Sequence, residues 1–271
     1  MIRARKPVWR SPEELVEIAF QRASVVMMNE AHDGWKRCIR TRQIGQRILP
    51  VAHQAGVRHI AMEALYPAFV EQCHSTRVVP AQAEAYLAQP EMKSLVQTAL
   101  DLGWTLIPYE ADPFKWITAK HGVEFSDSVD SIERQRQYQE FQADFPTLEY
   151  TNWREEQQAR NLIDALQSLP AGVPMLVWCG NSHLSKRPAQ GWLPMGYQFN
   201  RLSRIDSFAI DQTRTVKFNN DKYRLRLIRK FEKELGTWGG TAGFLREQAP
   251  FSLGGDKSVD AKLLSTDNEL E

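Results

Sequence analysis

Four short apolar runs, the first three followed by helical sequence and all stopping at polar residues, constrain this chain more than any other feature. Ser24-Val25-Val26-Met27-Met28 stops at Asn29-Glu30-Ala31-His32-Asp33-Gly34, and Arg58-His59-Ile60-Ala61-Met62 stops at Glu63. Trp104-Thr105-Leu106-Ile107 ends at Pro108-Tyr109-Glu110-Ala111-Asp112, and Met175-Leu176-Val177-Trp178 ends at Cys179-Gly180-Asn181-Ser182-His183. Runs this short, continuous rather than alternating, are those of strands buried on both faces of a parallel sheet. The intervening sequence is helical: about Trp35 to Ala55 before Gly56, Pro67 to Leu102 with breaks near Pro80 and Pro90, and Thr151 to Leu169 with Ala159, Leu162, Ile163 and Leu166 on one stripe. Ser11-Pro12-Glu13-Glu14 is a capping box that opens a first short helix. Alternation of this type predicts an α/β fold: a single domain with a mostly parallel central sheet flanked by helices.

The remaining segments are assigned around that frame. Ser207 to Ile210 reads as a fifth strand and Ala261 to Ser265 as a last edge strand. His121 to Phe145 reads as polar sequence forming an outer helix, and Lys222 to about Leu235 as a basic amphipathic helix. The Gly-rich patches at Gly236–Gly243 and Gly254-Gly255 mark loops. The expected core runs from about residue 22 to 212, with a C-terminal helix and extension over 213–271.

Composition narrows the partners. The 34 Lys+Arg against 33 Asp+Glu give a net charge of +1, which supplies no electrostatic footprint for nucleic acid. No apolar stretch approaches the ~20 residues of a membrane span. The basic start lacks the apolar region of a secretory signal, and Cys38, Cys73 and Cys179 form no CxxC. The expectation is a cytoplasmic protein with reduced thiols acting on a small molecule.

Ligands in open parallel sheets bind beyond the carboxyl ends of the strands. Here those ends carry Glu30, His32, Glu63, Glu110, Asp112, Asn181 and His183. Glu30 and His32, two apart on an extended strand end, project to the same side. Glu63 directly follows a buried strand, so its carboxylate needs a partner. Gly180 is expected to turn the chain sharply and place His183 at the mouth of the sheet. On the helix after Thr151, Arg154, Gln158 and Asn161 sit at i, i+4 and i+7 as a polar row suited to partial burial against polar partners, with Arg154 able to pair with Glu30 or Glu63 or to stabilise an oxyanion. His53, His59, His74 and His121 are read as ordinary.

Taken together and in order, Asn29-Glu30-Ala31-His32-Asp33, Ile60-Ala61-Met62-Glu63-Ala64-Leu65, the run from Arg154 to Asn161, the run from Leu176 to Lys186, and Pro194-Met195-Gly196-Tyr197-Gln198-Phe199 resemble the erythromycin-esterase-like proteins, in a superfamily with the ChaN-type haem-uptake lipoproteins and the TraB/Tiki proteases. The resemblance covers roughly Val25 to Ile210. It implies functional roles for His32, Glu63 and His183, and for Arg154 and Asn161 on the preceding helix. The single residue between Glu30 and His32, and the Asp33 that follows, are similar to the haem-binding and protease branches. Asn29 replaces the usual Gly. The segment from Gly180 to Gly196 is closer to the esterase branch.

Three chemistries follow as expectations. The first is metal-free hydrolysis of an ester or lactone. The resemblance then implies that His32 acts as general base and is oriented by Glu30 or Glu63, while His183 protonates the leaving alkoxide or joins Arg154 on the oxyanion. Asn161, Asn181 and Glu110 contact substrate. No serine elbow is present or required. The second is a divalent-metal hydrolase of the TraB/Tiki kind, with Glu30, His32, Glu63 and His183 as a nitrogen/oxygen ligand set. The third is a haem-binding protein, although no lipidated Cys lies near the start.

Overall fold

The computed structural model describes residues 6–31, 35–83, 85–125, 136, 138–215, 231–249 and 257–266. Within them the elements run α1 (Pro12–Arg22), β1 (Val25–Glu30), α2 (Trp35–Gln54), β2 (His59–Met62), α3 (Pro67–Thr76), α4 (Pro90–Asp101), β3 (Thr105–Pro108) and α5 (Pro113–His121). They continue with α6 (Leu148–Gln167), β4 (Met175–Gly180), α7 (Met195–Ser203), β5 (Phe208–Thr215), β6 (Thr241–Leu245) and β7 (Ala261–Ser265). The described strands form one seven-stranded sheet in the order β3-β2-β4-β1-β5-β7-β6. Every neighbouring pair is parallel except β6 and β7.

Alternate residues of the central strands feed two cores. Val26, Met28, Ile60, Met62, Leu176, Trp178 and Ile210 pack under α1, α2, α3 and α4, while Val25, Met27, Ala61, Val177 and Ala209 pack against α6 and α7. Both faces of the sheet are thus covered, which is why the strands read as unbroken apolar runs. The α2 layer sits close because Gly45 has no side chain: a Cβ there would lie 2.8 Å from Leu95 and 2.9 Å from Trp178.

Several sequence expectations need correction. Ala261–Ser265 is not an edge strand, since β7 lies between β5 and β6. The edge is β6, formed by part of the Gly-rich patch assigned to a loop; Gly243 fits because an added Cβ would meet Leu15 and the Lys262 carbonyl. The sheet therefore extends well beyond residue 212. α5 and α7 were not legible as helices, and His121, read as the start of an outer helix, is the last residue of α5. Most of the expected helix from Lys222 to Leu235 lies outside the described residues, of which 231–236 are helical. Residues 126–135 of the polar segment are likewise outside them.

Both borders of the sheet are closed locally. Arg10 and Gly243 exchange two backbone hydrogen bonds of 2.8 Å along β6. At β3, the Leu106 N–H donates to His74 Nε2 at 2.9 Å. Among the described residues, no helix is long and apolar enough to cross a membrane.

Glu30 is buried at the end of β1, where Arg42 of α2 grips it with two hydrogen bonds, Nε to Oε2 at 2.8 Å and Nη2 to Oε1 at 2.7 Å. The Trp178 indole N–H adds a third at 3.0 Å, and Arg42 also donates to Gln89 Oε1. Arg42 is 0% exposed. Removing one member of such a pair strands the other charge, so Arg42→Ala is expected to lower unfolding free energy by about 3–5 kcal/mol in urea denaturation. Arg47→Ala, which breaks the surface pair with Glu13, should cost less than about 1 kcal/mol.

Candidate active site

The carboxyl ends of β2, β3 and β4 open onto a cavity of about 450 Å³ lined by Glu30, Glu63, Glu110, Arg154 and His183, with Ala64, Tyr86, Met92 and Trp178 on its apolar side. Four of the residues singled out at strand ends in the sequence, together with Arg154, therefore share one cavity. His32 lies outside the described residues; β1 ends two residues before it, at the cavity-lining Glu30.

Arg154 organises the floor. Its Nη2 donates to Glu63 Oε1 at 2.7 Å, its Nε to Glu110 Oε1 at 2.9 Å, and Nη2 also reaches Glu110 Oε2. Burial opposes the guanidinium charge, but the hydrogen bonds and charges of Glu110 and Glu63 outweigh it and raise its pKa above the ordinary value. The polar row on α6 converges on the same point. Gln158 Nε2 lies 3.1 Å from both Glu110 oxygens, and Asn161 Nδ2 donates to the Tyr109 and Glu110 carbonyls at 3.1 Å. Asn161 thus holds the backbone after β3. Glu63 spends its second oxygen on the Gly180 N–H at 2.7 Å, which ties the end of β2 to the end of β4.

His183 stands on the far side of Glu63. Its Nε2 is 3.8 Å from Glu63 Oε1, and its Nδ1 is 2.6 Å from Glu155 Oε1. Burial would lower the imidazole pKa, but the contact with Glu155 and the charge of Glu63 raise it above the ordinary 6.5. Glu155 is 0% exposed and is itself held by the Trp192 indole N–H at 3.0 Å and by the Met195 N–H at 2.6 Å, at the start of α7. A helix N-terminus favours an anion. The next amide, Gly196 N–H, donates to the His183 carbonyl at 2.7 Å, so the first turn of α7 fixes both the imidazole's backbone and its carboxylate partner.

The turn into His183 differs from expectation. Gly180 remains in the strand, and Asn181 takes the left-handed conformation with φ 37°. Asn181 is exposed at the rim; its N–H donates to the Glu30 carbonyl at 2.6 Å and its carbonyl accepts from Asn29 Nδ2.

Glu155 escaped the sequence reading, yet a signal was there. It precedes Ala159, Leu162 and Leu166 at helical spacing, so a carboxylate heads the apolar stripe of α6. Tyr86, Trp192 and Arg42 carried no comparable signal.

Of the alternative metal set Glu30, His32, Glu63 and His183, all but His32 lie among the described residues. Both oxygens of Glu30 are bound by Arg42, and those of Glu63 and Glu110 are occupied by Arg154, Gly180 and Gln158. Among the described residues, no three His, Cys, Asp or Glu side chains gather where they could hold an ion.

No protein-family model matches the chain, and no curated protein matches it in sequence. Solved structures place its fold. It is similar to the haem-binding ChaN of Campylobacter jejuni at TM-score 0.55 and 11% identity, over 94% of this chain and 92% of that one. It is similar to a mutant of the erythromycin esterase EreC in its open conformation at TM-score 0.53 and 12% identity, over 97% and 99%. The fold is therefore the α/β fold shared by ChaN and the erythromycin esterase. The chain also matches RRSP, a MARTX toxin effector domain from Vibrio vulnificus, at TM-score 0.44 and 14% identity, over 74% of this chain and 35% of that one.

The contact between His183 and Glu155 makes a testable link to pH. Because the folded imidazole pKa is raised, the stability it contributes is complete below 6.5 and is lost as pH rises through the folded value. Glu155→Gln should lower the His183 pKa, read from its imidazole NMR resonances. The Tm difference from wild type should be largest below pH 6.5 and narrow above it.

Proposed function

We propose that this cavity is the active site of a hydrolase acting on an ester or lactone carbonyl. The observation that carries the proposal is the pairing of His183 with the fully buried Glu155, beside an Arg154 pinned by two carboxylates in the same cavity. An imidazole with a raised pKa suits a general acid, since it holds its proton to higher pH than an ordinary histidine and can give its Nε2 proton to a departing alkoxide. Glu155, 2.6 Å from Nδ1 but not aligned with it as a hydrogen bond, then balances the imidazolium charge. Arg154, preorganised by Glu63 and Glu110, offers a fixed positive charge to the oxyanion as the carbonyl becomes tetrahedral. His32, two residues after the end of β1 in the sequence, is the proposed general base for the attacking water.

The fold shared with the erythromycin esterase supports this assignment at the level of architecture. Macrolides are not implied.

A general acid matters most when the leaving group is poor. His183→Asn should reduce kcat for benzyl acetate by about 10²–10⁴. The loss with p-nitrophenyl acetate should be much smaller, because nitrophenolate departs without a proton. Wild-type turnover of benzyl acetate should fall as pH rises through the His183 pKa, above 6.5. Equal loss on both esters would remove the acid role, and undiminished turnover would remove the site.

A further inference from the structure

The lining of the cavity is mixed. Beside the paired charges of Glu63, Glu110 and Arg154 it includes the side chains of Ala64, Tyr86 and Met92, and Tyr86 is 37% exposed. A large aromatic ring left open to solvent on a cavity wall is a ready contact surface. The short 3-10 turn Ala85–Ala88 that carries it is built to hold the ring there. Leu87, the next residue, is sunk into the core under α4, and Gln89 at the end of the turn accepts from the buried Arg42. Ala85 adopts a left-handed φ of 48°, a conformation costly for a residue with a Cβ and more often retained where function needs it.

The neighbouring charges narrow what could lie against Tyr86 and Met92. Arg154 is paired with Glu63 and Glu110, and Glu30 with Arg42. A ligand group with a permanent charge would have to leave water and compete with these existing partners, whereas the reacting carbonyl becomes charged only in the transition state. An uncharged group meets no such cost.

We infer that Tyr86 and Met92 form a subsite for an uncharged aromatic group on the acyl or alcohol side of the substrate, with Tyr86 the residue that sets this preference. The inference rests on the hydrolase assignment for the reacting carbonyl, but ligand binding at the wall can be measured without turnover. Benzylacetone replaces the ester oxygen of benzyl acetate with a methylene and cannot be hydrolysed. Methyl propyl ketone bears the same relation to ethyl acetate.

Calorimetric titration of the full chain should show benzylacetone binding more tightly than methyl propyl ketone. Tyr86→Phe should keep the preference, and Tyr86→Ala should weaken benzylacetone alone by about 3- to 10-fold. Tyr86→Ala should lower Tm only modestly, as the residue is 37% exposed, and binding is read at a temperature where both proteins are folded. In turnover assays Tyr86→Ala should raise KM for benzyl acetate with little change in kcat, and para-carboxybenzyl acetate should be the poorer substrate. Tyr86-dependent binding of benzylacetone without hydrolysis of benzyl acetate would uphold the subsite while refuting the hydrolase assignment. Equal binding of both ketones, or a Tyr86→Ala protein that binds benzylacetone as wild type does, would overturn the subsite.

Discussion

Arg42 has no exposed surface and sits beneath a sheet whose strands are apolar almost to their ends, so its charge is tolerable only because Glu30 takes it in both hands and Trp178 adds a third donor to the same carboxylate. This compensation fixes where β1 ends relative to α2. It also sets the floor of the cavity, since Glu30 and Trp178 line it. The requirement recurs along the same edge, with Arg154 between Glu63 and Glu110, and His183 between Glu63 and Glu155. Buried charge is costly unless each group finds a partner and its remaining hydrogen bonds. At this edge the partners come from different strands and helices, so satisfying them is the same event as assembling the pocket.

Glu63 is the joint between these networks. One oxygen meets both Arg154 and the approach to His183, and the other holds the Gly180 amide. The Arg154 guanidinium and the His183 imidazole are thereby spaced by a single carboxylate whose position is set by the parallel pairing of β2 with β4. The site is a property of strand register, with few parts left to flexible loops. α7 reinforces it from outside, because two successive amides of its first turn hold Glu155 and the His183 carbonyl.

The alternation of apolar runs and helices was legible because each strand is buried on both faces, leaving unbroken Val, Ile, Leu and Met sequence. The polar row of Arg154, Gln158 and Asn161 was legible for a related reason: its spacing fixes one helix face whatever the face meets. What it meets, Glu110, follows from packing that no local pattern encodes. Glu155 was passed over as one of two adjacent glutamates, although its place at the head of an apolar stripe distinguishes it from Glu156. Arg42 is the harder case, because an arginine on an arginine-rich helix reads as solvated until α2 is laid over β1. β6 was missed because Gly243, needed for close approach to Leu15 and Lys262, gives the segment the composition of a loop.

The closure of both sheet borders has a consequence for how this protein behaves at high concentration. Growth of one sheet into another requires a row of open backbone donors and acceptors on a flank. At one flank Arg10 already occupies the Gly243 position, and at the other an imidazole nitrogen of His74 takes the Leu106 amide. Edge-to-edge pairing between chains is therefore hindered at these two positions. Acid conditions that protonate His74 would unplug one flank while leaving the other sealed.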